Sequence, residues 1–337
     1  MTPNELIGVN FHGYGSSIYQ NRDTPKPPEN YVNDSFATFS KYGLTCVRVS
    51  LYWESWEFNK NQFEADLEAI GDAADKHRIM CIYDNHQWEC SSWIGSGLGF
   101  PNSLMSNHYN KAAHPRRKPD YKTKKDFWDR WWNRNLQTVK GIDGWEAQAS
   151  FLLKIVKLLD SRRSTFGFEL LNEPAVFSFS HYRKIRTYYD YLIDNLRKVT
   201  NKPIFFCWAP PHGLVDTPIQ QAMASPTNKQ NIIFDCHPYP PSYTYILYFK
   251  LTSRLIGKNV PLYIGEFNSG KRFGSTLRQI SSYTKRLNTL GTLGWALWRW
   301  SYIKDQNIPA FNLTRIPNDR IEPNESFKSF IALQKSA

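Results

Sequence analysis

The sequence has no long apolar run and no organised set of cysteines. No stretch reaches the ~18 apolar residues of a membrane-spanning helix, so the sequence predicts no membrane span. The five cysteines show no CxxC spacing, which argues against a zinc site. No basic segment leading into an apolar one follows Met1, so no signal peptide is visible. This leaves the compartment open between an intracellular chain and a secreted one whose leader has been removed.

Linkers and repeats are also missing, whereas basic and aromatic residues are plentiful. No Gly-, Ser- or Pro-rich segment divides the chain, so we expect one domain over residues 1–337. The net charge of +12 would favour polyanions, although an inert basic surface is the simpler interpretation. With 12 Trp and 19 Tyr, the chain could either fill a large core or offer flat surfaces to sugar rings.

Eight short apolar runs alternate with segments of helical periodicity. Several runs are apolar nearly throughout, as expected of strands that are covered on both faces. The runs are Leu6–Phe11, Thr45–Leu51, Ile79–Tyr83, Thr165–Leu171, Pro203–Ala209, Asn231–Cys236, Pro261–Phe267 and Leu293–Trp298. This alternation predicts an α/β fold, a single (β/α)8 TIM barrel. A doubly wound open sheet is the competing fold, but no GxGxxG motif follows the first run.

One connection, from Asn85 to Asp143, is far longer than the usual barrel loop. We expect this aromatic-rich loop after the third strand to build or cover a site, with a short helix over Phe127–Asn135. It also holds a basic tract, Lys111–Lys125. Its tryptophans are Trp88, Trp93, Trp128, Trp131 and Trp132. We predict that at least one of them lines the cleft.

Polar side chains end most of the predicted strands, where a barrel carries its active site. The fourth strand ends in Asn172 and Glu173 and the seventh in Glu266, so two carboxylates would face one cleft. The other strand-end candidates are Arg48, His86, His237, Tyr239 and Trp298. Each of them alone has an ordinary structural explanation, but the set converges. Paired carboxylates are what the cleavage of a sugar bond requires.

The ordered set resembles glycoside hydrolase family 5, which belongs to a clan of (β/α)8 retaining glycosidases. The likeness runs from Gly8 to about Tyr302, with Asn-Glu-Pro after the fourth strand as its most recognisable motif. The resemblance implies that Glu266 is the nucleophile and that Glu173 is the acid/base, protonated at rest. In the segment 84–88, Asp-Asn-His-Gln-Trp, the residues after the His are not the small ones more often found there in the family, and a long aromatic loop follows; both departures leave the substrate open.

The resemblance implies roles for the remaining residues as well. Arg48 and Tyr239 would keep the nucleophile ionised, and Asn172 would bind the sugar 2-hydroxyl. His86 and His237 would orient the sugar and the carboxylates. Trp298 would lie beneath the sugar, and we expect Trp88 to contact substrate from the long loop. Glu169, four residues before Glu173, is interpreted as structural.

We therefore expect a monomeric retaining β-glycoside hydrolase, first of all an endo-β-1,4-glucanase, that needs no metal or organic cofactor. Its partner would be a β-linked polysaccharide or oligosaccharide. A β-mannanase, a xyloglucanase, a mixed-linkage glucanase, a glycolipid-cleaving enzyme or a transglycosylase would use the same chemistry. A carbohydrate-binding barrel without catalysis, or a basic polyanion-binding protein, are the alternatives from other classes. Nucleic acid is not expected as a partner, because no nucleic-acid-binding module is visible.

Overall fold

Eight parallel strands form a closed barrel in which each strand pairs with the next and the eighth pairs with the first. The computed structural model describes residues 5–12, 29–115, 117–239, 242–268, 277–289, 291–302, 312–317 and 320–335. The strands are β1 (Leu6–His12), β2 (Cys46–Leu51), β3 (Met80–Asn85), β4 (Thr165–Glu169), β5 (Ile204–Cys207), β6 (Ile232–Cys236), β7 (Leu262–Phe267) and β8 (Gly294–Ser301). The predicted (β/α)8 barrel is confirmed.

Helices fill the connections between the strands. They are α1 (Tyr31–Lys41), α2 (Trp53–Phe58), α3 (Lys60–His77), α4 (Asn102–Met105), α5 (Tyr121–Trp132), α6 (Gly144–Leu159), α7 (Phe179–Leu196), α8 (Pro218–Ala224), α9 (Tyr243–Ile256), α10 (Leu277–Thr289) and α11 (Glu325–Lys335). A short hairpin of β9 (Thr314–Arg315) and β10 (Glu322–Pro323) precedes α11. No helix in the described segments is long and apolar enough to cross a bilayer.

Local sequence explains where several helices begin. Asp143 caps α6, because its carboxylate accepts the backbone N–H groups of Trp145 and Glu146. Thr217 caps α8 through a reciprocal pair of contacts with Gln220, and Pro218 occupies the first helical position. The capping pair explains why the short α8 forms at all, since its apolar periodicity is weak.

Apolar side chains form two separate cores. The larger core lies between the strands and the surrounding helices. The smaller core fills the lower half of the barrel, where β-strands begin, and consists of Leu6, Cys46, Ile82, Phe205, Ile233, Tyr263, Leu293 and Ala296. All five cysteines are free and buried, so they act as small core residues here.

The connection between β3 and β4 is folded rather than an open loop. It contains α4 and α5, and α5 begins at Tyr121, six residues before the predicted start, because Asp120 accepts the N–H of Thr123. Phe100, Phe127 and Trp131 pack ring against ring at its centre. Trp128, Trp131 and Trp132 are buried in this packing, and Trp93 is half-buried. Most of the tryptophans therefore stabilise the connection, which leaves Trp88 as its exposed one.

Candidate active site

Arg48 extends from β2 into the upper half of the barrel and is fully buried. Its Nε and Nη2 atoms donate to the two carboxylate oxygens of Glu169 at 2.8 and 3.0 Å. Its Nη1 donates to Glu266 Oε1 and to Asn10 Oδ1, both at 2.9 Å. Its Nη2 also donates to Asn172 Oδ1 at 2.9 Å. The planar guanidinium thus fixes the distance between the ends of β4 and β7.

Two more carboxylates face the same guanidinium. Asp84 Oδ2 lies 3.1 Å from Nη1, and Asp235 Oδ2 lies 3.4 Å from Nε. Burial alone would lower the pKa of Arg48, but the surrounding carboxylates raise it well above its usual value, so the cation persists. Burial raises the pKa of Glu169 well above its usual value, even though Arg48 opposes this shift. The predicted structural role of Glu169 agrees with this bidentate contact.

The two candidate catalytic carboxyls meet across the cleft. One oxygen of Glu173, one oxygen of Glu266 and one ring nitrogen of His237 lie within 4.8 Å of one another. Retaining glycosidases hold their two carboxyl groups about 5–5.5 Å apart, whereas inverting enzymes need about 6.5–9.5 Å to admit a water molecule. An oxygen–oxygen distance below 4.8 Å is shorter than an inverting enzyme needs, so the geometry fits a retaining enzyme.

His237 connects these carboxyls with two buried groups below them. Its Nδ1 lies 2.9 Å from Glu173 Oε1 and 3.8 Å from Glu266 Oε1. Its Nε2 lies 3.5 Å from Asp235 Oδ2 and 3.8 Å from Cys207 Sγ. Burial would lower the pKa of His237, but Cys207, Glu266 and Asp235 outweigh it and raise that pKa well above the usual value. The carboxylates around the ring therefore favour its protonated form.

The pKa shift of Glu173 runs opposite to the one expected of a carboxyl that is protonated at rest. Burial raises the pKa of Glu173, but the hydrogen bond from His237 and its charge outweigh burial and lower it. Burial raises the pKa of Glu266, although the charges of His237 and Arg48 oppose this. The sequence could not show that His237 contacts Glu173, because the contact joins the end of β6 to the end of β4.

The other strand-end residues complete the site. The hydroxyl of Tyr239 donates to Glu266 Oε2 at 3.4 Å. His86 Nδ1 lies 2.6 Å from Asp84 Oδ2, and its ring stacks on Trp298 with centroids 5.4 Å apart. Trp298 itself is partly exposed, as a ring that contacts substrate must be.

The backbone that carries Glu173 is held in an uncommon conformation. Glu173 has φ = 40°, in the left-handed region that favours glycine. The side-chain amide of Gln87 donates to the carbonyl oxygens of Asn172 and Glu173 at 3.0 and 2.9 Å. Asn172 Nδ2 donates in return to the carbonyl of Gln87 at 3.0 Å. These contacts stabilise the turn that aims Glu173 at the cleft.

The sequence matches the family model described as cellulase, glycosyl hydrolase family 5, over residues 7–304. The chain belongs to glycosyl hydrolase family 5. The predicted family is confirmed, and the protein is a glycosidase whose carboxyl spacing is that of a retaining enzyme. No curated protein matches this glycosidase.

Solved structures resemble this family 5 glycosidase throughout its length. An endogalactoceramidase is 16% identical with a TM-score of 0.70, and the match covers 98% of this chain and 81% of that one. Endo-glycoceramidase II from Rhodococcus sp., as a lactosyl-enzyme intermediate, is 15% identical with a TM-score of 0.68 and coverages of 99% and 80%. The catalytic domain of Thermobifida fusca endoglucanase Cel5A is 16% identical, with a TM-score of 0.63 and coverages of 99% and 92%. At these identities the likeness shows the shared fold.

The glycosidase brings nearly all of its predicted site residues together. The residues at the mouth of the barrel are Arg48, His86, Asn172, Glu173, His237, Tyr239, Glu266 and Trp298. Trp88 follows Gln87 and is 39% exposed, with Lys118 Nζ 4.9 Å from the centre of its ring. It lies at the edge of the site rather than among the carboxylates.

Three residues that hold the site together were not predicted from the sequence. Asn10 Oδ1 accepts a hydrogen bond from Arg48, and Asn10 Nδ2 donates to the carbonyl of Gly265 at 2.7 Å. Asp235 accepts the Gly265 N–H at 2.6 Å, and Gln87 stabilises the end of β4. Asn10 and Asp235 are polar residues inside otherwise apolar strands, and this interruption could have marked them as residues of the barrel interior.

Among the described residues, two groups of side chains have donor atoms close enough for a metal ion. One is Glu169, Cys207 and His237, and the other is Glu173, His237 and Glu266. In both groups His237 and the carboxylates already contact one another or Arg48, which accounts for their closeness without an ion. That the reaction needs no metal or cofactor stays a prediction.

Proposed function

We propose that the protein cleaves a β-glycosidic bond by double displacement, with Glu266 as nucleophile and Glu173 as acid/base. The observation that supports this most is that one oxygen of each carboxyl lies within 4.8 Å of the other. Such a spacing leaves no room for a water between carboxylate and sugar, so the carboxylate itself attacks the anomeric carbon.

Contacts at Glu266 support its role. Arg48 Nη1 donates to Oε1 at 2.9 Å and the Tyr239 hydroxyl donates to Oε2 at 3.4 Å. Both contacts favour the ionised carboxylate that attack requires, against the rise in pKa that burial causes. They also fix the carboxylate plane, so the attacking oxygen is oriented before substrate arrives.

The proton for the leaving group is available at the contact between His237 and Glu173. Transfer of one proton from Nδ1 to Oε1, across 2.9 Å, leaves a neutral imidazole and a protonated Glu173. Protonated Glu173 then donates to the glycosidic oxygen as the bond breaks. In the second step Glu173 accepts a proton from water, or from a sugar hydroxyl in transglycosylation, while that oxygen attacks the glycosyl-enzyme.

Asn172 is placed to bind the sugar next to the bond that breaks. Its Oδ1 accepts from Arg48, and its Nδ2 donates to the Gln87 carbonyl. An amide nitrogen carries a second N–H, which can donate to the 2-hydroxyl. This contact strengthens as positive charge develops on the ring and so lowers the barrier.

The first substrate candidate is a β-1,4-linked glucan, cleaved internally. Trp298 in β8 is partly exposed and Trp88 after β3 is 39% exposed, both near the carboxyl ends of their strands. Aromatic faces at intervals along a cleft suit successive sugar rings. The similar Thermobifida fusca enzyme is named an endoglucanase. The similar XacCel5A was solved in complex with cellopentaose.

The second candidate is a glycolipid whose head group is released. A specific observation favours it: aliphatic side chains as large as Val215 and Ile219 are 73% and 66% exposed on the face that carries the site. The similar endogalactoceramidase and endo-glycoceramidase II are named for ceramide-linked sugars.

The roles of the two glutamates can be separated by variants and a small anion. Glu173→Ala should still release a good aryl leaving group once, because that step needs little proton donation, and then stall as glycosyl-enzyme. Azide should restart it and give the β product, whereas azide with Glu266→Ala should give the α product. Product stereochemistry by NMR decides, and the opposite pair of outcomes would reverse the roles. Full activity of both variants on the natural substrate would place the site elsewhere.

The substrate is tested by product analysis on a panel. We expect hydrolysis of soluble β-1,4-glucan or of a cellobiosyl or lactosyl lipid in detergent micelles, with retention in either case. Mannan, xyloglucan and mixed-linkage glucan test the alternatives. Activity on none of these, with an aryl cellobioside also intact, would contradict the proposed function.

A further inference from the structure

Four of the most exposed large apolar side chains of the described chain lie on one face of the barrel. We name them the apolar rim: Tyr121 (56% exposed), Phe179 (57%), Val215 (73%) and Ile219 (66%). Tyr121 is the first residue of α5, and Phe179 the first of α7. Val215 precedes α8 and Ile219 is its second residue.

The apolar rim lies on the same face as the active site. Its members lie in the connections after β3, β4 and β5, at or before the starts of α5, α7 and α8. These connections begin at the carboxyl ends of the strands, where Glu173 also lies. Side chains here border the entrance that a substrate must use.

Contacts join the three connections into one surface. The ring of Tyr121 packs edge-on against Phe177 at 5.3 Å, and Phe177 stacks on His212 at 4.7 Å. A Cβ built on Gly213 would lie 3.6 Å from the Tyr121 hydroxyl. Phe179 and Val215 follow Phe177 and Gly213 by two residues each, so both lie beside these contacts in the chain.

The chemistry of the apolar rim suits lipid better than sugar. Its two most exposed members, Val215 and Ile219, are aliphatic and have no ring face to stack on a pyranose. Aliphatic and aromatic side chains exposed together, beside basic residues, are typical of surfaces that lie at the boundary between lipid head groups and acyl chains.

The charges beside the apolar rim are predominantly positive. The exposed basic side chains are Arg117, Lys118, Lys122 and Arg183. The nearby acids are Glu89, which pairs with Lys118 and Lys124, Asp120, which caps α5, and Asp216, which contacts Trp208 and Gln221. Basic residues outnumber acidic ones, and the whole chain carries +12, so an anionic surface is the complementary partner.

We propose that the apolar rim docks on an anionic lipid surface and presents the active site to glycosyl head groups that project from it. This inference deepens the second candidate of the proposed function and rests on it for the identity of the substrate. Docking itself depends on Val215, Ile219, Phe179 and Tyr121 together with the adjacent basic residues. It does not depend on the catalytic carboxylates.

Vesicle sedimentation without any glycolipid tests docking apart from catalysis. The protein should bind vesicles of phosphatidylcholine mixed with phosphatidylserine more tightly than phosphatidylcholine alone, and salt should weaken this binding. A Val215→Ser, Ile219→Ser double variant should bind about tenfold more weakly, because two apolar anchors are lost. Its hydrolysis of a soluble aryl glycoside should stay at the wild-type rate, which shows that the fold and the site are intact.

The matched control is a Leu251→Ser, Leu255→Ser double variant. These leucines are 50% and 48% exposed, but they lie in the second half of α9, which leads to the opposite face of the barrel. Their loss should leave vesicle binding unchanged. Equal weakening by both double variants, or no vesicle binding by the wild type, would overturn the inference. If the wild type bound vesicles but hydrolysed no glycoside, the docking inference would stand and the proposed function would be rejected.

Discussion

The interior of the barrel is apolar in its lower half and charged in its upper half, although the same strands build both. Along β2, β3 and β6, the apolar residues Cys46, Ile82 and Ile233 belong to the lower core. Two residues further along the same strands are, in order, Arg48, Asp84 and Asp235. Side chains two residues apart on a strand point to the same side. Each of these strands therefore changes from an apolar to a charged residue between neighbouring positions on its inner face.

The two halves contribute differently: the lower half stabilises the fold, and the upper half holds the charged groups of the candidate site. The lower core is buried apolar surface, which favours folding directly. The upper cluster places Arg48 among Glu169, Asp84, Asp235 and Glu266, all of them buried. Removing charges from water is unfavourable unless each is paired, so the cluster is stable only while its members remain together. We expect substitutions in the two halves to affect different quantities.

The largest effect on stability should follow Arg48→Met in the upper cluster. This change removes the cation that the buried carboxylates share, so the free energy of unfolding should fall by about 3–5 kcal/mol. Chemical denaturation measures it. Arg315→Met is the matched control, because its partner Glu322 is exposed, and the change should be below about 1 kcal/mol. Equal effects of the two variants would remove the distinction between a buried cluster and a surface pair.

The next effect should follow Ile233→Ala in the lower core. Ile233 is fully buried, so the cavity should lower the free energy of unfolding by about 2–4 kcal/mol. The kcat/KM on an aryl glycoside should stay close to wild type below the melting range, since Ile233 is in the lower core and not in the charged cluster. A large loss of kcat/KM in folded protein would show that the lower core also positions the carboxylates, and the comparison would fail.

The smallest effect should follow Asp235→Asn, which keeps the shape of the upper cluster and an acceptor for the Gly265 N–H. Asp235 is one of the groups that raise the pKa of His237. Stability that depends on protonated His237 is present at low pH and is lost as pH rises through this raised pKa. Without the Asp235 charge the loss should begin at lower pH, and the basic limb of the kcat/KM profile should move the same way.

Unfolding and kcat/KM measured against pH test this expectation, with Asp216→Asn as control. Asp216 contacts Trp208 and Gln221 rather than His237. If the basic limb stays in place in Asp235→Asn, Asp235 does not act through His237.

Periodicity predicted the barrel, because each strand is a contiguous apolar run and each helix repeats its apolar residues every three or four positions. Strand ends predicted Glu173, Glu266 and Arg48 because topology brings all carboxyl ends of parallel strands to one face. The contact of His237 with Glu173 joins positions 64 residues apart. No local pattern encodes such a contact, so the lowered pKa of Glu173 could not be predicted.

The tryptophans of the long connection after β3 are a second case in which the sequence could not predict a side chain's surroundings. Its tryptophans resemble sugar-stacking residues in the sequence, and most of them pack inside the connection. Composition cannot tell a ring in a small core from a ring in a cleft. The cap at Asp120 fixes where α5 begins. That start turns Trp128 and Trp131 toward Phe100, and so into the core of the connection.

The left-handed backbone at Glu173 carries a consequence for the evolution of this fold. At φ = 40° a side chain crowds its own backbone, which glycine would not do. Under the acid/base role proposed for Glu173, selection for turnover holds at this position a residue that conformational preference disfavours. In a descendant freed from that selection, mutational drift would replace Glu173 early, with glycine or asparagine, while Arg48 and its carboxylates persisted. A barrel with that pattern would be the recognisable remnant of a lost enzyme.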